Sequence, residues 1–83
     1  ELGIHLVRAP MVGVFYRAPM PDAPPFTKEG DHVAPGDVMG LIEAMKIFNE
    51  VQADAPGRVV EFLAKDEEFV SLGQPLVKLK TGP

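Results

Sequence analysis

The chain repeats itself. Displaced by 44 positions, Val7, Ala9, Gly13 and Phe15 fall on Val51, Ala53, Gly57 and Val59. Displaced by 37, Asp31, Val33, Gly36 and Ile42 fall on Glu68, Val70, Gly73 and Leu79. Self-similarity at this scale asks for a framework of two like halves. Each half runs strand, glycine-bearing turn, strand, polar turn, short apolar piece, glycine turn, strand. The two displacements differ by seven, so the first half carries about seven residues that the second lacks. They fall within Ala18-Pro19-Met20-Pro21-Asp22-Ala23-Pro24-Pro25, where four prolines in seven positions exclude a helix interior and a central strand. The local reading of that segment is a stiff surface loop.

The flanking pieces read as β-structure. Ile4 to Arg8, Val12 to Arg17, Val59 to Ala64 and Leu76 to Lys80 are short runs rich in β-branched and aromatic residues or in alternation. Lys28-Glu29-Gly30-Asp31, Pro35-Gly36-Asp37, Asp54-Ala55-Pro56-Gly57 and Lys65 to Glu68 supply turns. The centre conflicts with this pattern. Val38, Leu41, Ile42, Met45, Phe48 and Val51 recur at three- and four-residue steps among good helix formers, so propensity predicts a helix from about Gly40 to Gln52.

Composition narrows the function. The 83 residues include no cysteine, so neither disulfides nor thiolate metal sites reinforce the small core. Net charge is −4 and the eight basic residues are scattered, unlike the clustered cations that a nucleic-acid surface needs. No apolar run approaches the roughly 20 residues that span a bilayer, and no signal peptide opens the chain, so a soluble intracellular protein is expected. A strand-like run so close to Glu1 suggests a single domain, residues 1–83, excised from a longer chain. There is no nucleophile–base pair, phosphate loop or metal cluster, and His5 and His32 lack ligand spacing.

The central stretch Glu43-Ala44-Met45-Lys46, followed by Ile47-Phe48-Asn49-Glu50, resembles the attachment motif of biotinyl domains, in which a lysine in an Ala-Met-Lys context carries biotin. A lysine taken alone is usually solvated charge; the surrounding pattern is what singles out Lys46. From about Val7 to Leu79 the chain is similar to the biotin carboxyl carrier family of acetyl-CoA carboxylase, the thumb-containing type of the biotinyl/lipoyl family. The resemblance implies an all-β fold: a flattened barrel of two four-stranded antiparallel sheets with pseudo-twofold symmetry. It also implies a biotinyl hairpin over about 38–53 with a two-residue turn at Met45-Lys46, against the helical periodicity. Met-Lys is a poor choice for such a turn, which needs positive φ. In the hairpin, Ile42, Ala44, Ile47 and Val51 share the expected core face, with Leu41, Glu43, Phe48 and Glu50 on the other.

By the same resemblance Lys46 bears covalent biotin, and Glu43, Ala44, Met45 and Ile47 are read by a biotin protein ligase. The domain is then a non-catalytic carrier. It shuttles an activated carboxyl group from biotin carboxylase to carboxyltransferase, for malonyl-CoA and fatty-acid synthesis, in the bacterial cytoplasm or the plastid stroma. Alternatives are another biotin-dependent carboxylase, a lipoyl carrier, or an interaction domain that is never modified. The proline-rich loop, Ala18 to Pro25, matches the family's thumb and is expected to stand stiffly beside the Met45-Lys46 turn. Relatives often place Ser or Thr where this chain has Ala18, so a hydroxyl contact from thumb to biotin is not available here.

Overall fold

The structure, a computed structural model, describes residues 3–82. Eight strands follow one another with no helix among the described residues: β1 (Ile4–Arg8), β2 (Gly13–Tyr16), β3 (His32–Val33), β4 (Val38–Ala44), β5 (Ile47–Gln52), β6 (Gly57–Phe62), β7 (Glu68–Val70) and β8 (Pro75–Lys80). They form two four-stranded sheets, ordered β1-β8-β6-β3 and β5-β4-β2-β7, with every pairing antiparallel. Alternation along each strand turns one set of side chains inward, and register shifts at Met39 and Leu76 bring those two in as well. Phe15, Met39, Ile42, Val51 and Val70 from one sheet meet Val7, Val59, Leu76, Val77 and Leu79 from the other in a single buried core.

The repeat is structural. Advancing the first half by its displacements turns β1, β2, β3 and β4 into β5, β6, β7 and β8, and turns one sheet order into the other. The equivalence reaches single hydrogen bonds. Gly30 N–H donates to the Val59 carbonyl at 2.8 Å, and its counterpart Glu67 N–H to the Phe15 carbonyl at 2.6 Å. Lys28 N–H donates to the Asp31 carboxylate at 3.0 Å, as Lys65 N–H does to Glu68 at 2.8 Å. The matched glycines have a matched cause: a β-carbon on Gly13 would lie 2.5 Å from the Glu43 carbonyl oxygen, and one on Gly57 2.7 Å from that of Lys80. Only glycine lets the strand backbones come that close.

Pairing overrides the helical periodicity of residues 40–52. Gly40 is pinned beneath the Phe15 ring, where a β-carbon would sit 2.5 Å from a ring atom, and Glu43 lies opposite Phe48 across the β4–β5 ladder. The three- and four-residue steps arose because Leu41 and Phe48 lie on the outer face while Ile42 and Val51 line the core. One expected core residue is corrected: Ile47 is 63% exposed. Its face is right, but it lies at the tip of the hairpin beyond the cover of the opposing sheet.

Candidate functional site

β4 and β5 form a hairpin whose ladder closes with Ala44 opposite Ile47. Met45 and Lys46 are therefore the whole turn, at φ 53° and 64°. Positive φ at both central residues is what a type I′ turn requires, the type whose twist matches that of the flanking strands. Neither residue favours that region, so something else must support it. Glu43 does so: its Oε2 accepts the Lys46 backbone N–H at 2.7 Å. The acid two residues before the turn centre thus fixes the backbone of the lysine while leaving its side chain alone.

The tip is solvent-facing. Met45 is 92% exposed, Ile47 and Lys46 are exposed, and Ala44 is half-buried. Among the described residues the Lys46 ammonium takes part in none of the three ion pairs, which belong to His5–Asp54, Arg17–Glu29 and Lys78–Glu61. A primary amine is therefore held on a defined backbone and free to react, the geometry needed by an acceptor for an activated acyl group. No group of His, Cys, Asp or Glu among the described residues could hold a metal.

Residues 18–25 form a loop closed at its root, where Phe26 N–H donates to the Arg17 carbonyl at 2.9 Å. An inner turn is made by Ala23 N–H on the Met20 carbonyl at 3.2 Å, with Asp22 at φ 67°. The root is anchored in turn: Arg17 N–H donates to Asp66 at 2.8 Å, and the Arg17 guanidinium stacks 3.7 Å from the Phe62 ring centre. Between the loop and the outer face of β2, β4 and β5 runs a groove of about 320 Å³, walled by Ala18, Pro19, Met20, Pro21, Asp22 and Ala23 and floored by Tyr16, Leu41 and Phe48. Tyr16 and Phe48 pack at 6.0 Å in a tilted pair, an arrangement aromatic rings favour. Pro24 and Pro25 are exposed and lie outside the groove.

The groove's lining stops short of the turn: it includes Phe48 but not Met45 or Lys46, and the loop's root lies at the end of β2, where Tyr16 pairs with Leu41. Alternation had put Leu41 and Phe48 on the outer face, but nothing marked Tyr16, Asp66 and Glu67 as groove residues. Glu67 has φ 68° where its counterpart Gly30 has 95°, a left-handed position occupied by a side-chain-bearing residue at the groove's edge. Next to it, the Glu68 carboxyl is held below its ordinary value, first by the Lys65 backbone N–H and then by the Gln74 side chain, 2.9 Å away.

Comparison with known proteins then decides the family. The profile described as biotin-requiring enzyme, of the biotin/lipoyl type, matches residues 5–79. The chain belongs to the biotin/lipoyl family. Among curated relatives it is 50% identical over 70 residues to the chloroplastic biotin carboxyl carrier protein of acetyl-CoA carboxylase 1 of Arabidopsis thaliana, covering 84% of this chain and 25% of that one. It is 44% identical over 80 residues to the biotin carboxyl carrier protein of acetyl-CoA carboxylase of Haemophilus influenzae, covering 96% and 52%. This member of the biotin/lipoyl family thus spans between a quarter and about half the length of those two relatives. In fold it matches a solved single-chain, multi-domain long-chain acyl-CoA carboxylase at a TM-score of 0.80 and 23% identity, over 99% of this chain and 8% of that one.

Proposed function

We propose that Lys46 is the attachment site for biotin and that the domain is the non-catalytic carrier of an acetyl-CoA carboxylase. The observation that carries this reading is an exposed, unpaired lysine held at a two-residue turn by Glu43, in a chain of the biotin/lipoyl family. The site fits the group: an amide to the Lys46 amine needs an accessible nitrogen and a side chain free to swing, and the tip provides both. A biotin protein ligase would present an activated biotinyl carboxyl. With that carboxyl held as its mixed anhydride with AMP, the amine attacks the carboxyl carbon, the carbon–oxygen bond to the phosphate breaks, AMP leaves, and the nitrogen gives up a proton. Glu43 fixes the backbone from which the amine projects, while Ala44, Met45 and Ile47 form the surface the ligase meets.

When bound, biotin supplies the nitrogen that carries an activated carboxyl group; the chain supplies its placement. The two-residue turn sets the direction in which the tethered group leaves the domain, and the tether keeps it at high local concentration near both partner sites. Those partners are a biotin carboxylase and a carboxyltransferase, the product is malonyl-CoA, and the setting is the bacterial cytoplasm or the plastid stroma. With alanine at position 18, the thumb acts on the tethered group through shape and backbone groups.

The test is Lys46→Arg, which keeps the charge and removes the usable amine. After co-expression with a biotin ligase, intact mass should show one biotinyl addition on the parent and none on the variant, with melting temperature unchanged. A lipoyl addition on the parent, or residual biotin on the variant, would overturn the assignment.

A further inference from the structure

The internal symmetry separates what the framework needs from what it merely tolerates, and one outer row stands out. Across β3, β6, β8 and β1 the ladder aligns His32, Arg58, Lys80 and Ile4 side by side. Their counterparts in the other sheet are Phe69, Val14, Glu43 and Phe48, likewise aligned across β7, β2, β4 and β5. The same positions thus accept apolar and acidic side chains, so packing does not demand cations there. Placing Arg58 directly opposite Lys80 is unfavourable, because like charges on facing positions of a ladder repel. Among the described residues no ion pair relieves it: the three present involve neither Arg58 nor Lys80. On the same sheet Glu61 faces Lys78 at 3.8 Å, and Asp31, next to His32 in sequence, accepts the Lys28 N–H. His32, Arg58 and Lys80 are all exposed and border a shallow hollow of about 210 Å³.

We infer that this row docks an acidic segment of a partner protein. Neighbouring strands lie about 4.8 Å apart, so the row extends roughly 10 Å across three strands. Carboxylates at alternate positions of an extended peptide repeat every 6–7 Å or so. Two of them therefore fit, one on the Arg58 fork and one on Lys80, with the His32 ring at the end of the row. The charge pattern disfavours other polyanions. The chain as a whole carries −4, and two permanent cations fall far short of the roughly 6–10 phosphate contacts of a duplex-binding surface. They also fall short of the cluster of about 4–8 basic residues that reads as an anionic-lipid site. Lys80 occupies in its sheet the place that Glu43 holds in the other, at the opposite end of the framework. A partner seated on Lys80 would hold the domain while leaving the Lys46 hairpin uncovered. The inference stands on the row alone and does not depend on biotin.

The test is a titration of the chain, followed by amide NMR at low and at physiological salt. The probe is an acetylated, amidated nine-residue peptide with glutamate at alternate positions and serine between. Shifts should centre on residues 32, 58 and 80, leave residues 43–48 still, and weaken with salt. The double variant Arg58→Ser/Lys80→Ser should bind about fivefold more weakly, the scale expected for two exposed ion pairs. Arg58→Glu/Lys80→Glu should lose the acidic peptide and gain the lysine-for-glutamate analogue, with an otherwise unchanged spectrum. Shifts centred elsewhere, or equal affinity in the double serine variant, would overturn the inference. So would full displacement by inorganic phosphate at matched ionic strength, or tighter binding of a short DNA duplex.

Discussion

Replacing Lys46 by glycine should make the protein more stable while removing the exposed amine at the hairpin tip. Lys46 lies at φ 64°, where a residue with a β-carbon is disfavoured by about 1–2 kcal/mol. Glycine enters that region freely but loses roughly 0.5–1 kcal/mol more in backbone entropy on folding. Taking the middle of each range, the difference leaves a net gain of about 0.75 kcal/mol, which for a domain of this size raises the melting temperature by roughly 3–6 °C. Nothing else of weight changes. The bond to Glu43 comes from the backbone N–H, which glycine retains, and the lysine side chain is exposed. The assay is calorimetric melting of unmodified protein, with Ile47→Gly as control. Residue 47 has no positive φ, so that variant should lose about 1 kcal/mol. If Lys46→Gly melts at or below the parent, the turn carries no conformational cost and the support assigned to Glu43 is unnecessary.

Three further outcomes follow from other parts of the molecule. Thr27 is 5% exposed and its hydroxyl has no hydrogen-bond partner among the described residues, while its counterpart in the second half is the buried Ala64; Thr27→Val should stabilise by about 1–2 kcal/mol, since an unsatisfied buried hydroxyl costs on that order, and denaturant unfolding will read it. The Glu68 carboxyl is held below 4.5 by hydrogen bonds to its charged form, so its contribution is present above the unfolded-state value and is lost as pH falls through the lowered folded value. Melting curves from pH 7 to pH 2 should accordingly show a steeper acid loss in the parent than in Glu68→Gln. Deleting Met20 to Pro25 and closing the gap with glycine should leave a folded domain that a ligase still modifies, because the Arg17–Phe26 closure lies outside the cut; carboxyl transfer with partner enzymes should fall, and full activity would make the loop a passive insertion.

The architecture was legible because two copies of one pattern leave paired marks. Gly13 and Gly57 face equivalent carbonyls, and Val33 and Val70, or Ile42 and Leu79, fill equivalent places in the core. The insertion showed as a change of displacement. The hairpin was not legible from propensity, because its turn rests on a side chain reaching forward three residues, from Glu43 to the Lys46 N–H, and on pairing with distant strands, neither of which local preference records. Alternation gave Ile47 the right face but not its exposure, since period alone cannot say where the opposing sheet ends. The groove was hidden for a similar reason. Tyr16 and Phe48 come from different strands, and the left-handed backbone at Glu67 carries no glycine to announce it.

Strand order also sets a timetable. Among the described residues, β4–β5 is the only ladder between consecutive strands; all others join strands at least two apart, and β1 waits for β8. A hairpin can form within microseconds once its residues exist, but the sheet that covers this one is completed only when β8 has been made. On a ribosome the Lys46 turn, with Glu43 already in place, would therefore emerge early, while the core beneath its hairpin closes late. An enzyme that reads the packed hairpin, and not merely the four residues around the turn, would find no substrate until synthesis of β8 is finished.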